Sequence, residues 1–281
     1  MSPLDHQDVS PLDRQAVSDV PVLFSTVDGV LRITLDRPSH KNSLNPVSVR
    51  AIVEVLERAA ADDSLRAILL GSSGPDFCSG ADVVAANPEG GERPRVGNLQ
   101  RRTAVQAHRL IDILTSIQLP VVCAVRGWAA GLGCQLALAA DFTVAAETAT
   151  FWEPFVARGF TPDSGATWLL PRLIGVARAK TLLMLSEKVT GAQAAEWGMI
   201  HRAVPDDEVG DAAEELVRRL AQGPTVAIGL AKSCIHSSLE LAMTEAMARE
   251  ALALELSSRS TDFREGLAAF KERREPVYRG R

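Results

Sequence analysis

The stretch PVVCAVRGWAAGLGCQLALAADFTVAA, residues 120–146, decides the fold. PVVCAV (120–125) is a short, wholly apolar run bounded by turn signals, the mark of a strand buried on both faces. GWAAGLG (127–133) reads as a tight glycine-rich turn, CQLALAA as a short helix, and DFTVAA (141–146) as the next strand. A strand, a crossover helix and a further strand make a βα unit, and such units build mainly parallel sheets with right-handed connections.

Reading outward toward the N-terminus, RAILLGSS (66–73) is another apolar strand. VPVLFSTVDGVLRITLDRP (20–38) reads as two strands joined at Asp28-Gly29, a hairpin signal. Asn45-Pro46 opens a helix, with Asn45 as N-cap and Pro46 in its first position, and Val49, Ile52, Val53, Leu56 and Ala60 line one face. Residues 87–98 form a polar loop, a candidate lid or entrance, and a helix follows to about Gln118. Beyond Asp206 the pattern is helical only, through Phe270. The expected organisation is a disordered lead-in over 1–19, an α/β core over 20–205 and a helical C-terminal region over 206–281.

The bulk numbers exclude several classes. With Lys+Arg at 30 and Asp+Glu at 35 the net charge is -5, against a nucleic-acid partner. No segment approaches the ~20 apolar residues of a membrane span, and the polar, acidic residues 1–19 lack the apolar stretch of a signal peptide. The four cysteines, Cys78, Cys123, Cys134 and Cys234, form no CxxC pair, and the five histidines lack metal-ligand spacing. A cytoplasmic protein with free thiols and no metal or redox cofactor is expected.

Gly127, Gly131 and Gly133 admit three readings. They are a plain strand-to-helix turn, a dinucleotide fingerprint, or an anion site at a helix N-terminus. The fingerprint fails because G-x-G-x-x-G from Gly131 ends on Leu136 and no acidic ribose partner follows. The anion site gains support from FCSGAD (77–82), a second strand-to-loop turn with free backbone donors. Two N–H groups from separate turns converging on one oxygen make an oxyanion hole.

FCSGADV followed by RGWAAGLGCQLALAADFTVA resembles the crotonase (enoyl-CoA hydratase/isomerase) superfamily. ITLDRPSHKNSLN (33–45), GFTPDSGATWLLPRLIGVARA (159–179), KVTGAQAAEWGMIHRAVP (188–205) and FREGLAAFKERREPVY (263–278) extend the likeness, in order, over roughly residues 22–278. The resemblance implies a spiral of ββα units with a helical C-terminal trimerisation region, giving a homotrimer or a dimer of trimers. It assigns the oxyanion donors to the main-chain N–H groups of Ala81 and Leu132, beside Gly80 and Gly131. Leu132 stands where glycine is frequent in the family, and its side chain narrows the acyl pocket.

The two glutamates that hydratases of this family use are replaced by Gln135, in GLGCQ, and Phe155, in FWEPF. Neither side chain moves protons near neutral pH. Glu153 lies two residues before Phe155, but the Pro154 match fixes the register and makes Glu153 structural or exposed. The remaining candidate is Asp163 of TPDSG. Its simplest reading is the N-cap of a helix starting at Ser164. Its apolar neighbours Phe155, Phe160, Trp168 and Leu169 suit a desolvated general base. The segment resembles that of phenylacetate-pathway acyl-CoA isomerases, in which the aspartate is the acid/base, and it overlaps the place where aryl-CoA dehalogenases carry a nucleophile.

Coenzyme A enters only as part of the substrate. Arg37 and Lys41 suit its phosphates. The resemblance places Asn42, Ser43, Leu44, Gly80, Asp82 and Val83 along the CoA cleft, and Phe263, Phe270 and Lys271 on the helix that reaches a neighbouring subunit's site. Read from the residues alone, Asp82 holds its loop through backbone hydrogen bonds, and the C-terminal helix is simply amphipathic. The expected reaction is a double-bond shift through a thioester enolate with Asp163 as acid/base. The alternatives are a hydratase with non-standard carboxylates, dehalogenase or thioesterase chemistry through Asp163, and a non-catalytic acyl-CoA-binding protein.

Overall fold

The computed structural model describes residues 20–82 and 95–281. The expected lead-in 1–19, most of the loop 87–98, and Val83 lie outside the described residues.

The chain starts with the expected hairpin, β1 (Val22–Val27) paired antiparallel to β2 (Val30–Leu35). Asp28 and Gly29 both take positive φ, 52° and 73°, the requirement of a turn that follows the right-handed strand twist. Helix α1 (Pro46–Ala59) opens on Asn45, whose side chain accepts the Ser48 N–H at 2.8 Å. Its buried face carries Val49, Ile52, Val53, Val55, Leu56 and Ala59. Ala60, expected on that face, is the exposed residue that ends the helix.

Strand β3 (Ala67–Ser72) is as expected. The single helix expected to reach Gln118 is two, α2 (Asn98–Val105) and α3 (Ala107–Ser116), broken where Gln106 leaves helical space at φ -120°, ψ -93°. The second stops at Ser116 because Ile117 turns extended ahead of the Leu119–Pro120 step, where proline disfavours helix in the residue before it.

The deciding stretch then gives β4 (Val121–Val125), β5 (Trp128–Ala130), helix α4 (Leu132–Ala139) and β6 (Phe142–Ala146). After β7 (Thr150–Trp152) comes α5 (Ala166–Leu185), interrupted at Gly175. Next are β8 (Lys188–Thr190), α6 (Gly191–Glu196) and β9 (Arg202–Val204). Four helices finish the chain: α7 (Val209–Ala221), α8 (Thr225–Ser238), α9 (Met243–Ser258) and α10 (Thr261–Glu272).

Two sheets organise these elements. One has six strands in the order β1-β2-β3-β4-β6-β9, parallel except at β1, and the other has three, β5-β7-β8. Two strands of the first sheet are each followed by a short strand in the second, β4 by β5 and β6 by β7. This is the spiral of ββα units, and it corrects the reading of 127–133 as turn alone. Trp128–Ala130 pair in parallel with Thr150–Trp152, and a three-residue strand is too short to show a period.

The central strands of the large sheet are buried on both faces. Val30, Ala67, Val122 and Val144 meet Ala213, Val217 and Ala221 of α7 on one side. Leu31, Ile33, Ile68, Leu70, Val121 and Cys123 face the main core on the other. Helix α8 is pinned to this core by Lys232, whose buried ammonium donates to Asp141 Oδ2 at 2.8 Å and to the carbonyls of Leu114 and Leu119.

Candidate active site

The site grows from two backbone turns that the sheets bring together. Cys78 bridges to Ala129 and Ala81 to Leu44, both in parallel register. Through the first bridge the 78–81 turn runs alongside β5 and into the start of α4. Gly80 takes φ +96°, and a β-carbon there would lie 2.6 Å from the Ala130 carbonyl oxygen and 3.5 Å from the Leu132 nitrogen. Gly133 is fixed as tightly, since its β-carbon would meet the Cys78 carbonyl at 2.4 Å. Glycine at both places lets the two backbones touch.

Within these turns several neighbouring amides are used up. The Cys78 N–H donates to Trp128, Asp82 to Leu44, Gly131 to Trp152 and Gln135 to Gly131. Among the described residues the N–H groups of Ala81 and Leu132 have no such acceptor. Leu132 opens α4, so its N–H has no intrahelical partner and carries the positive end of the helix dipole. Ala81 is exposed, while Gly80, Gly131 and Leu132 are buried. Such a pair of donors suits an oxygen on which negative charge develops.

Beside them lies a group that sequence reasoning misplaced. Glu153 and Gln135 are both fully buried, and the Gln135 amide donates to Glu153 Oε1 at 2.6 Å. The alternation that puts Phe151 inside and Trp152 half out continues one residue past β7 and carries Glu153 inside, so the exposed alternative was wrong. Burial pushes the Glu153 carboxyl up to about 8, hydrogen bonds from Gln135 and Cys134 pull it down, and the Asp163 charge adds to the rise. Burial also raises the thiols of Cys78 and Cys134, to about 12 for Cys78, so both are inert packing groups.

Asp163 is near enough to act on Glu153, yet it differs from expectation in two ways. It does not cap a helix at Ser164. Ser164 and Gly165 take φ 51° and 86°, which delays α5 to Ala166, and no side chain caps that helix. Nor is Asp163 enclosed by the apolar residues around it, because it is exposed in the single chain. Phe155 is buried and meets the half-exposed Phe160 edge-on at 5.5 Å.

The loop after β2 is more internally bound than a ligand loop need be. Arg37 Nη1 donates to Asp82 Oδ2 at 2.7 Å and to Ser43 Oγ at 3.1 Å, so its expected phosphate contact competes with a partner inside the fold. Asp82 is thereby ion-paired to the loop after β2. Asn42 is 1% exposed and cross-links the loop. It accepts the Arg37 N–H at 2.7 Å and donates to the Ser73 and Asp76 carbonyls at 2.8 and 2.7 Å. Asn42 and the buried Leu44 therefore hold the loop from beneath. Lys41 projects outward, 3.8 Å from Asp76 Oδ2.

Phe263, Phe270 and Lys271 are not gathered here. They lie on α10, and Phe270 is 84% exposed. Cavities of about 160 and 420 Å³ lie elsewhere, beside Arg32 and Arg126 in one case and beside Asp62 and Thr225 in the other. Among the described residues no three His, Cys, Asp or Glu side chains cluster as metal ligands do, and no helix is long and apolar enough to cross a membrane.

The chain as a whole is similar to known proteins of one family. The model of the enoyl-CoA hydratase/isomerase family matches residues 25–281. The chain is 38% identical over 261 residues to 1,2-epoxyphenylacetyl-CoA isomerase of Escherichia coli, covering 92% of this chain and 98% of that protein. It is 31% identical over 260 residues to the 2,3-dehydroadipyl-CoA hydratase of the same organism, covering 92% and 99%. The crystal structure of an enoyl-CoA hydratase from Bacillus anthracis superposes with a TM-score of 0.86 at 28% identity, covering 93% of this chain and all of that one.

Proposed function

The chain belongs to the enoyl-CoA hydratase/isomerase family, and from that premise we propose that it shifts a carbon–carbon double bond in an unsaturated acyl-CoA, with Asp163 as acid and base. The thioester oxygen sits between the N–H groups of Ala81 and Leu132. Asp163 removes a proton from C2 of a 3-enoyl thioester, and the electron pair passes through the carbonyl to give an enolate held by those donors. Protonated Asp163 returns the proton to C4, and the double bond closes between C2 and C3. The proton removed is the proton returned, so no further reagent enters. Each donor contributes roughly 3 kcal/mol of transition-state stabilisation.

The observation that carries this reading is the placement of Asp163. Its charge acts on Glu153. Glu153 is bonded to Gln135, in the first turn of the helix that Leu132 opens. These links support an ionisable group close to the proposed oxyanion turns, whereas the hydratase positions hold Gln135 and Phe155. Lys41 is the outward cation on the loop offered to the CoA phosphates. Large apolar side chains exposed on the C-terminal helices, among them Met243, Leu252, Leu254 and Phe270, support assembly as a homotrimer or a dimer of trimers.

The test supplies matched 3-enoyl- and 2-enoyl-CoA substrates to the protein and to Asp163→Asn. The expected result is conversion of the 3-enoyl to the 2-enoyl form, lowered about 10²–10⁴-fold by the substitution. Equal turnover by the variant ends the role of Asp163. A 3-hydroxyacyl-CoA as main product makes the protein a hydratase with non-standard carboxylates. Binding without turnover of either substrate makes it an acyl-CoA-binding protein.

A further inference from the structure

The proton transfer above leaves a buried carboxyl beside the site, that of Glu153, unused. Glu153 and Gln135 are fully buried and joined at 2.6 Å, and among the described residues Glu153 Oε2 and Gln135 Oε1 have no partner. Both hang on the same turn. The Gln135 N–H donates to the Gly131 carbonyl at 3.1 Å, and Trp152, just before Glu153, accepts the Gly131 N–H at 2.9 Å. The pair therefore braces, from behind, the turn that presents the Leu132 N–H.

Two other titratable groups act on Glu153: Cys134 on α4, which hydrogen-bonds it, and Asp163 from the segment before α5. An ionised Glu153 would add a buried negative charge behind the turn that is proposed to hold the enolate oxygen. Like charges in a water-poor site repel strongly. A neutral carboxylic acid there keeps the hydrogen bond and removes the repulsion.

We propose that Glu153 is a positioning residue that works as a neutral acid, bracing the Gly131–Leu132 turn through Gln135 and adding no charge beside Asp163. When Glu153 ionises, enolate formation is suppressed. This rests on the isomerase reading. The rise of Glu153 to about 8 through burial agrees with a neutral form at neutral pH.

The experiment records kcat/KM for a 3-enoyl-CoA against pH for the wild type, Glu153→Gln and Gln135→Met, with an infrared difference titration of the Glu153 carboxyl. In the wild type the rate falls roughly tenfold per pH unit above the pKa of Glu153, near 8. Glu153→Gln keeps its neutral-pH rate within about threefold and loses that alkaline limb. Gln135→Met removes a bond that lowers the Glu153 pKa, so the limb moves to higher pH. The infrared band of a protonated carboxylic acid is present at neutral pH and absent in Glu153→Gln. An unchanged limb in both variants overturns the proposal, as does a carboxylate band at neutral pH. Loss of rate at every pH in Glu153→Gln also overturns it, because the carboxyl would then transfer the proton itself. A wild type that turns over no 3-enoyl-CoA fails the isomerase reading and with it the positioning role, while the infrared titration separately reports whether the buried acid is neutral.

Discussion

The Leu132 backbone nitrogen stands 3.5 Å from the position that a β-carbon on Gly80 would occupy, and the Ala130 carbonyl oxygen stands 2.6 Å from it. Gly80→Ala must therefore force the two turns apart, and its φ of +96° adds strain for any side chain. The expected outcome is a loss of roughly 10²–10³ in kcat, the scale of one misplaced oxyanion donor. Circular dichroism should show a retained fold, with a lowered melting temperature. A variant with wild-type kcat would mean that the two amides do not act together.

Asn42 predicts a different kind of loss. Its side chain makes three hydrogen bonds from a buried position, to the Arg37 N–H and the Ser73 and Asp76 carbonyls. Asn42→Ala leaves all three backbone groups short of a partner, and each costs roughly 1–3 kcal/mol. Asn42 also sits at φ 52°, which alanine tolerates less well than asparagine. Urea denaturation should show at least about 3 kcal/mol lost, and KM for acyl-CoA should rise because the loop carries Lys41. A change below about 1 kcal/mol would remove Asn42 from its structural role.

Those two residues also mark what was legible beforehand. The Gly80 and Gly131 turns stand out because glycine between a buried strand and a helix has few uses, and Asp28-Gly29 names its own turn type. The buried cross-links of Asn42 stay hidden because a polar residue in a family motif gives no sign of which way it faces. Glu153 hides for a related reason, because Pro154 breaks the strand pattern just where the alternation from Phe151 carries it inward. The expected cap at Asp163 fails because Ser164 takes positive φ, a choice no side-chain preference announces. The contacts of Phe263, Phe270 and Lys271 are a matter of assembly, and a single chain leaves them on its surface.

Lys232 and Asp141 form a buried ion pair with side-chain exposures of 6% and 14%. Asp141 also accepts the Val121 N–H at 2.8 Å, so the pair joins α8 to the first residue of β4. Lys232→Met strands a buried carboxylate and should cost about 3–5 kcal/mol. Asp141→Asn on top of it removes the stranded charge and should recover part of that loss, giving a coupling energy well outside additivity. Chemical denaturation of the two single variants and the double variant measures it. Additive losses would show that each residue contributes through its backbone contacts alone.

Glu153 makes stability itself depend on pH. Its folded pKa of about 8 lies above the ordinary glutamate value of 4.5. The folded state therefore holds the proton more tightly than the unfolded chain. The associated stabilisation is complete below the unfolded pKa and is lost progressively as pH rises from there through the folded one. Over that whole window the loss is on the order of 5 kcal/mol. Glu153→Gln carries no titrating group, so its stability should decline less across the same range. The two proteins should be furthest apart in slope between pH 4.5 and about 8. Urea midpoints taken at intervals through that window decide it. Parallel curves for the two would mean that Glu153 ionises in the fold as readily as in the open chain, and that water reaches a carboxyl that the structure encloses.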